Sequence, residues 1–229
     1  VLENTPSIIL NLNRLNQIIA VDALNQTMMV QAGATLAQVQ AAARAQNLLF
    51  PLSLASEDSA TIGGNLATNA GGTQVLRYGN MRDLCLGLEV VLADGQVLSA
   101  LNTLRKNNTG YDLKHLFIGS EGTLGIITQA VLKLYPMPAQ RQVVLIACHR
   151  LADLLNAFMT LRQHLDARLT AFEMMAPYAL DLVCTHLNCA HPWQSAPMYS
   201  ALIEISQPTL ATDETLHTTL TDFMAAQTV

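Results

Sequence analysis

Three glycine clusters carry the strongest chemical signal in this chain. They are Ile62-Gly63-Gly64-Asn65, Asn69-Ala70-Gly71-Gly72 and Gly119-Ser120-Glu121-Gly122-Thr123-Leu124-Gly125. A phosphate or pyrophosphate needs several backbone N–H groups aimed at one place. Glycine permits both that close approach and the positive φ it requires. Any one cluster also reads as a tight turn or bulge, but three together weigh towards an anion or dinucleotide cradle. The P-loop signature is absent, and so is the Gly-x-Gly-x-x-Gly fingerprint of the Rossmann fold.

The elements that must hold these clusters follow from apolar periodicity and breaker residues. Ile8 to Leu12 and Thr27 to Ala32 read as strands. Thr35 reads as the N-cap of an Ala-rich helix over Leu36 to Gln46, with Asn47 at its exit. Phe50 to Gly79 shows no period and reads as a long irregular segment, which in a compact domain is usually functional. Leu88 to Ala100 reads as a hairpin turning on a type I′ Asp94-Gly95 pair. Asp112 reads as the cap of a short helix to Ile118. Ile126 to Leu134 reads as a strand that Pro136 and Pro138 bring to an end.

A boundary at Pro138 predicts two domains, 1–138 and 139–229. In the second, Val143 to Cys148, Leu169 to Met174 and Tyr199 to Ile205 read as strands. Ala152 to Leu165, Met175 to Leu187 and Asp213 to Ala226 read as helices, the last capped by Thr212. The first of these helices is expected to present Leu151, Leu154, Leu155, Phe158 and Leu165 on one face. The fold class is α+β, with helices covering one face of a sheet. Such a unit normally returns to its sheet, so a chain ending after a helix reads as ending mid-domain.

Composition narrows the function. Only 13% of the 229 residues are charged, against roughly 25% in an average soluble domain. Lys+Arg is 12 and Asp+Glu is 17, a net charge of −5, which argues against a nucleic-acid partner. Apolar residues make up 51%, too many for a disordered chain. The longest runs without a charge, Ser59 to Leu76 and Val183 to Ile203, contain Gly, Asn and Pro, so neither reads as an integral membrane segment. Four cysteines are too few for a disulfide framework, and a reducing, cytoplasmic location is expected. VLENTP has no initiating Met, basic region or apolar run, so no signal peptide is read there.

The sequences ATIGGNLATNAGG, RYGN, LEVVLADGQVL and LRKNNTGYDLKHLFIGSEGTLGIIT resemble the FAD-binding domain of the FAD-linked oxidases. This is the type found in vanillyl-alcohol oxidase and p-cresol methylhydroxylase. The likeness leans towards the D-2-hydroxyacid dehydrogenases: D-2-hydroxyglutarate dehydrogenase, D-lactate dehydrogenase and the glycolate oxidase flavoprotein subunit. It covers about residues 1 to 206.

The resemblance implies a PCMH-type FAD-binding domain followed by a partial α+β cap domain, and FAD as cofactor. Pro51, Ser53 and the segment Thr61, Gly63, Gly64 and Asn65 would pass beside the isoalloxazine and pyrophosphate. Thr68 and Gly71 would line the same groove. Tyr78 and Gly79 would lie near the flavin or adenine. Glu121 would meet the adenosine part, with Gly125, Ile126 and Ile127 offering backbone contacts. The substrate would be a small 2-hydroxyacid, and an unidentified acceptor would take the electrons. Homodimerisation stays open. An aryl alcohol or an enolpyruvyl sugar as substrate, or a flavin-binding subunit with no turnover of its own, stand as the alternatives.

The family carries an earlier Gly-rich pyrophosphate loop and a later His-rich, metal- and substrate-binding region. Both fall outside this chain, which therefore reads as an interior piece retaining FAD weakly by itself.

Remaining candidates read as structural. Cys184, His186, Cys189 and His191 do not match common zinc spacings, and no metal site is assigned. Lys114 and His115 read as a solvated helix face. Arg77 and Arg82 read equally as counter-charges to the cofactor or as surface residues. Trp193 reads as a loop anchor. Spacing alone identifies no catalytic acid or base.

Overall fold

A computed structural model of the chain describes residues 8–193 and 197–207. The helix expected over Asp213 to Ala226 lies outside these residues. In chain order the elements begin with β1 (Ile18–Asp22), β2 (Thr27–Gln31), α1 (Leu36–Arg44), β3 (Leu48–Leu49), α2 (Ile62–Ala67) and α3 (Val75–Tyr78). Next come β4 (Cys85–Val91), β5 (Val97–Ala100), α4 (Lys114–Phe117), β6 (Ile126–Lys133) and β7 (Tyr135–Pro136). Then follow β8 (Gln140–Cys148), α5 (Leu151–Leu165), β9 (Leu169–Met175), α6 (Pro177–Leu187) and β10 (Tyr199–Gln207). They form two compact units: residues 1–72 with 79–137, and residues 73–78 with 138–229.

The first unit is built on an antiparallel sheet in the order β1-β2-β6-β4-β5, with a separate β3-β7 pair. β6 is central. Its Ala130, Val131 and Leu132 are fully buried, so both of its faces are covered and its apolar run shows no alternation. Met28 and Val30 of β2 and Val90 of β4 complete this layer. α1 starts at a capping box: the Thr35 hydroxyl accepts from the Gln38 N–H (3.3 Å) and the Gln38 side chain accepts from the Thr35 N–H (2.9 Å). Leu36, Val39, Gln40 and Ala43 form its buried stripe.

Several expectations change here. Ile8 to Leu12 is irregular, and among the described residues the first strand begins at Ile18. Ile8 and Ile9 are 97% and 82% exposed, so the apolar pattern there does not mark a paired strand. The segment Phe50 to Gly79 is not wholly irregular, since it folds α2 and α3. Thr61 caps α2 by accepting from the Gly64 N–H at 3.3 Å.

The hairpin turn is not type I′. Only Gly95 has positive φ (84°), and its N–H donates to the Leu92 carbonyl at 3.0 Å. Leu92 in turn donates to Gln96, so this is a three-residue loop with a left-handed glycine, a common alternative for Asp-Gly. Asp112 does not cap α4. That helix starts after Leu113 without a side-chain cap, because the Asp112 carboxylate is engaged by Lys114 and His115.

In the second unit β8, β10 and β9 form an antiparallel sheet with β10 in the middle. β10 pairs with β8 without a break, from Tyr199↔Cys148 to Gln207↔Gln140. α5 lays Leu154, Ala157, Leu161 and Leu165 against Ala201, Ile203 and Ile205. The buried face therefore turns on Ala157 and Leu161, while Leu151 and Leu155 are 41% and 55% exposed, against the expectation. The small Ala157 lets the helix approach the sheet closely. Phe158 remains at the edge of this core and meets Phe172 edge-on at 5.1 Å.

Candidate functional site

The first unit contains a groove of about 490 Å³, within the range of ligand pockets. Residues 9–13 form one wall. Thr61, Gly63, Gly64 and Ala67 of α2 and its cap form another. Glu121, Gly122, Gly125, Ile126 and Ile127 close it.

Backbone contacts bring these three segments together. The Ile62 and Gly63 N–H groups donate to the carbonyls of Ala34 (2.9 Å) and Ala32 (2.7 Å), which seats α2 on the end of β2. A side chain at Gly63 would place its Cβ 2.8 Å from the Ala32 Cβ, so glycine is needed for this approach. The third glycine cluster docks on the end of α2: Gly119 donates to the Leu66 carbonyl at 3.0 Å and Glu121 to the Ala67 carbonyl at 2.9 Å. The first wall is held through Gly33, whose N–H donates to the Leu15 carbonyl at 2.7 Å.

Arg82 has a structural use in this arrangement. Its guanidinium donates to the carbonyls of His115 (2.8 Å) and Ile118 (2.5 Å), and its backbone N–H donates to the Asn69 side chain at 3.0 Å. It therefore ties the turn after α2 to the segment leading into the third cluster.

No Lys or Arg lines the groove, and Glu121 is the sole carboxylate among its described lining residues. A phosphate here would meet no side-chain cation, and the Gly63, Gly64 and Glu121 N–H groups are already engaged by Ala32, Thr61 and Ala67. A carboxylate repels a phosphate but accepts well from a hydroxyl or an exocyclic amine, so Glu121 suits the sugar or base end of a nucleotide.

The structure gathers Thr61, Gly63, Gly64, Glu121, Gly125, Ile126 and Ile127 on this groove. The other expected residues lie elsewhere. Pro51 is buried and Ser53 half-buried in the loop after β3, which Gln40 holds by donating from its side-chain amide to the Leu52 carbonyl at 2.8 Å. Asn65 lies inside α2 at 5% exposure, and its Nδ2 donor has no partner among the described residues. Thr68 and Gly71 are exposed, and the Thr68 hydroxyl donates to the Gly64 carbonyl at 3.0 Å. Tyr78 is buried in the second unit, beneath the Arg77 guanidinium at 4.9 Å. Gly79 follows in the first unit with φ 75°. Residues 9–13 and Ala67 line the groove without having been expected there. The exposed Ile8-Ile9-Leu10 run was their signal, read instead as a strand.

Nearby titrating groups are few. Burial pushes the Cys85 thiol up to about 12, with the Lys114 charge opposing, so this cysteine stays a protonated core residue. Burial pushes the Asp112 carboxyl up, but Lys114 and His115 outweigh it and hold the group below its ordinary value. Among the described residues, no three His, Cys, Asp or Glu side chains gather closely enough to hold a metal ion.

FAD suits these features. The groove lacks a cationic side chain among its described lining residues and carries one carboxylate, Glu121. The Asn65 amide, next to the groove-lining Gly64 but not itself on the groove, keeps a spare buried donor, and flavin carbonyls or phosphate oxygens are acceptors for such a group.

Comparison with known proteins agrees. Residues 2–100 match the FAD binding domain family. The chain is 46% identical over 197 residues to D-2-hydroxyglutarate dehydrogenase, mitochondrial, of Bos taurus, covering 86% of this chain and 36% of that protein. The enzyme of the same name from Danio rerio is 40% identical, covering 97% of this chain and 42% of its own length. D-2-hydroxyglutarate dehydrogenase of Xanthomonas citri pv. viticola is 45% identical, covering 78% and 38%. The chain thus spans 36% to 42% of the length of these relatives. A solved alkyldihydroxyacetonephosphate synthase shares the fold, with a TM-score of 0.75 at 23% identity over 93% of this chain and 41% of that one. Over residues 2–100 the chain is similar to the FAD binding domain family, and over most of its length it resembles the D-2-hydroxyglutarate dehydrogenases in sequence.

Proposed function

We propose that the full-length protein is an FAD-dependent oxidoreductase that oxidises a D-2-hydroxyacid, such as 2-hydroxyglutarate, lactate or glycolate, to the 2-oxoacid. The supporting observation is the extent of the likeness. It does not stop with the FAD binding domain at residue 100 but runs on to cover 97% of the chain at 40% identity. FAD, when bound, supplies the hydride acceptor for the alcohol carbon, and the protein's part is binding, orientation and exclusion of water.

In this reading Thr61, Gly63, Gly64, Gly125, Ile126 and Ile127 form the surface on which the cofactor lies, and Glu121 takes its adenosine end. Pro51, Ser53, Asn65, Thr68, Gly71, Tyr78 and Gly79 complete the proposed contacts. Residues 1–138 would serve as the cofactor domain and 139–229 as the first part of the substrate domain. A separate acceptor would reoxidise the flavin. A reducing compartment such as the cytoplasm accords with the free state of all four cysteines. Among the described residues, no helix is long and apolar enough to cross a membrane.

The test is the absorbance of the purified full-length protein, followed by dye reduction with D-2-hydroxyglutarate, D-lactate and glycolate. A flavin band and turnover with one of the three is expected. A colourless protein that FAD cannot reconstitute would remove the flavoprotein reading. A yellow protein inert to all three would remove the substrate class.

A further inference from the structure

The C-terminus of α6 holds two cysteines in a geometry that the proposed flavin chemistry does not use. Asn188 follows the helix in the left-handed region (φ 51°, ψ 44°). The Cys189 N–H donates to the Cys184 carbonyl at 3.0 Å, and the Asn188 N–H donates to the Thr185 carbonyl at 3.3 Å. These are the two bonds of a Schellman motif, with Cys184 in the last turn of the helix and Cys189 just past the reversal. That motif brings these two side chains together, where an apolar pair usually sits. Here the pair is two thiols. Cys184 is partly exposed and Cys189 exposed.

The following loop is fixed over the same helix end. The His191 ring lies 3.5 Å from the Asp181 carboxylate, and its Nδ1 accepts from the Trp193 N–H at 3.2 Å. The Cys184 Sγ lies 4.0 Å from the Ala190 carbonyl. The reversal is therefore a set geometry rather than a loose end.

We propose that Cys184 and Cys189 are a reversible dithiol–disulfide pair, closed by exchange with a small disulfide of the glutathione type. The Cys189 thiolate attacks one sulfur of the oxidised disulfide, forming a mixed disulfide and releasing one thiolate. The Cys184 thiolate then attacks the Cys189 sulfur, closing the Cys184–Cys189 bond and releasing the second thiolate. The protein dithiol loses two protons and two electrons, and the small disulfide becomes two thiols. Exposure makes Cys189 the entry point. Burial, Cys189 and Asp181 together raise the Cys184 thiol above its ordinary range, which makes attack by its thiolate the slower, second step. Cys85 and Cys148 are both buried and take no part.

The test equilibrates the full-length, FAD-loaded protein with oxidised glutathione, blocks free thiols with a maleimide and digests with trypsin. No Lys or Arg occurs between Arg168 and Val229, so both thiols remain on one peptide. The expected product is that peptide lighter by two hydrogens, without bound maleimide or glutathione, and restored by dithiothreitol. In Cys184→Ser the mixed disulfide at Cys189 is expected to persist instead. Asn188→Gly keeps the left-handed residue and should close at the parent rate. Asn188→Val should close roughly tenfold slower, because a branched side chain disfavours that region. Two maleimide-labelled thiols after equilibration, or a stable glutathione adduct on the parent, would overturn the proposal. So would equal closure rates for the Gly and Val variants, which would show that the motif does not set the pair.

Discussion

At the scale of single residues, Asn65 separates stability from cofactor binding. Its buried Nδ2 has no partner among the described residues, and such a donor costs about 1–3 kcal/mol. Asn65→Leu is expected to leave the cofactor-free protein as stable or more so. The same change should weaken FAD binding roughly tenfold, the worth of one hydrogen bond of about 1.4 kcal/mol. Thermal melting and flavin-fluorescence titration read the two effects separately, and a parallel loss in both would show that Asn65 merely packs. Cys85 gives a second signature. Its folded pKa is raised to about 12, while an unfolded thiol ionises near about 8.5. Between those values the native state holds the extra proton, so stability falls as pH rises through this window and is unaffected below it. Cys85→Ala is expected to lower stability at pH 7 but to flatten that alkaline decline in denaturant titrations. An unchanged alkaline slope would reject the assignment.

At the scale of elements, local signals decided where helices and strands begin, and long-range contacts decided which faces they bury. Thr35 and Gln38 close their capping box within four residues, so α1 was legible. α5 was legible as a helix but not in its rotation, because its buried face depends on where the β8-β10-β9 sheet accepts Ala157. The short α2 was hidden for a similar reason: two of its residues are Gly63 and Gly64, poor helix formers, and it is held by Ala32 and Ala34, which follow β2. Among the described residues of the second unit, a buried charge cluster centres on Glu204. Glu204, 5% exposed on the central β10, accepts from Gln74 (2.7 Å), from the Thr170 hydroxyl (2.9 Å) and from Arg141 (2.8 Å). Gln74 comes from the segment 73–78, so this cluster holds that segment in the unit. Hydrogen bonds to charged groups contribute about 1.5–3 kcal/mol, and Arg141→Met is expected to destabilise the second unit by an amount near the lower bound. Adding Glu204→Gln should recover part of that loss, as a double-mutant cycle would show. Additive losses would mean that the two side chains do not interact.

At the scale of the whole molecule, the charge deficit has a local form. The uncharged run from Ser59 to Leu76 contains α2 and its cap, whose first turn lines a groove with no Lys or Arg among its described residues. Glycine clusters, caps and turn residues are encoded within a few positions, and the sequence by itself was enough to identify the α+β class and the likeness to an FAD binding domain. Tertiary structure decided the rest. It placed residues 9–13 on the groove, assigned 73–78 to the second unit and bound Arg82 to backbone carbonyls. It also set the Asp94-Gly95 turn as a three-residue loop. The first three of these depend on a carbonyl, strand edge or packing face supplied from far along the chain. Such contacts leave no period in the residues that receive them, and so they appear only when the chain is folded.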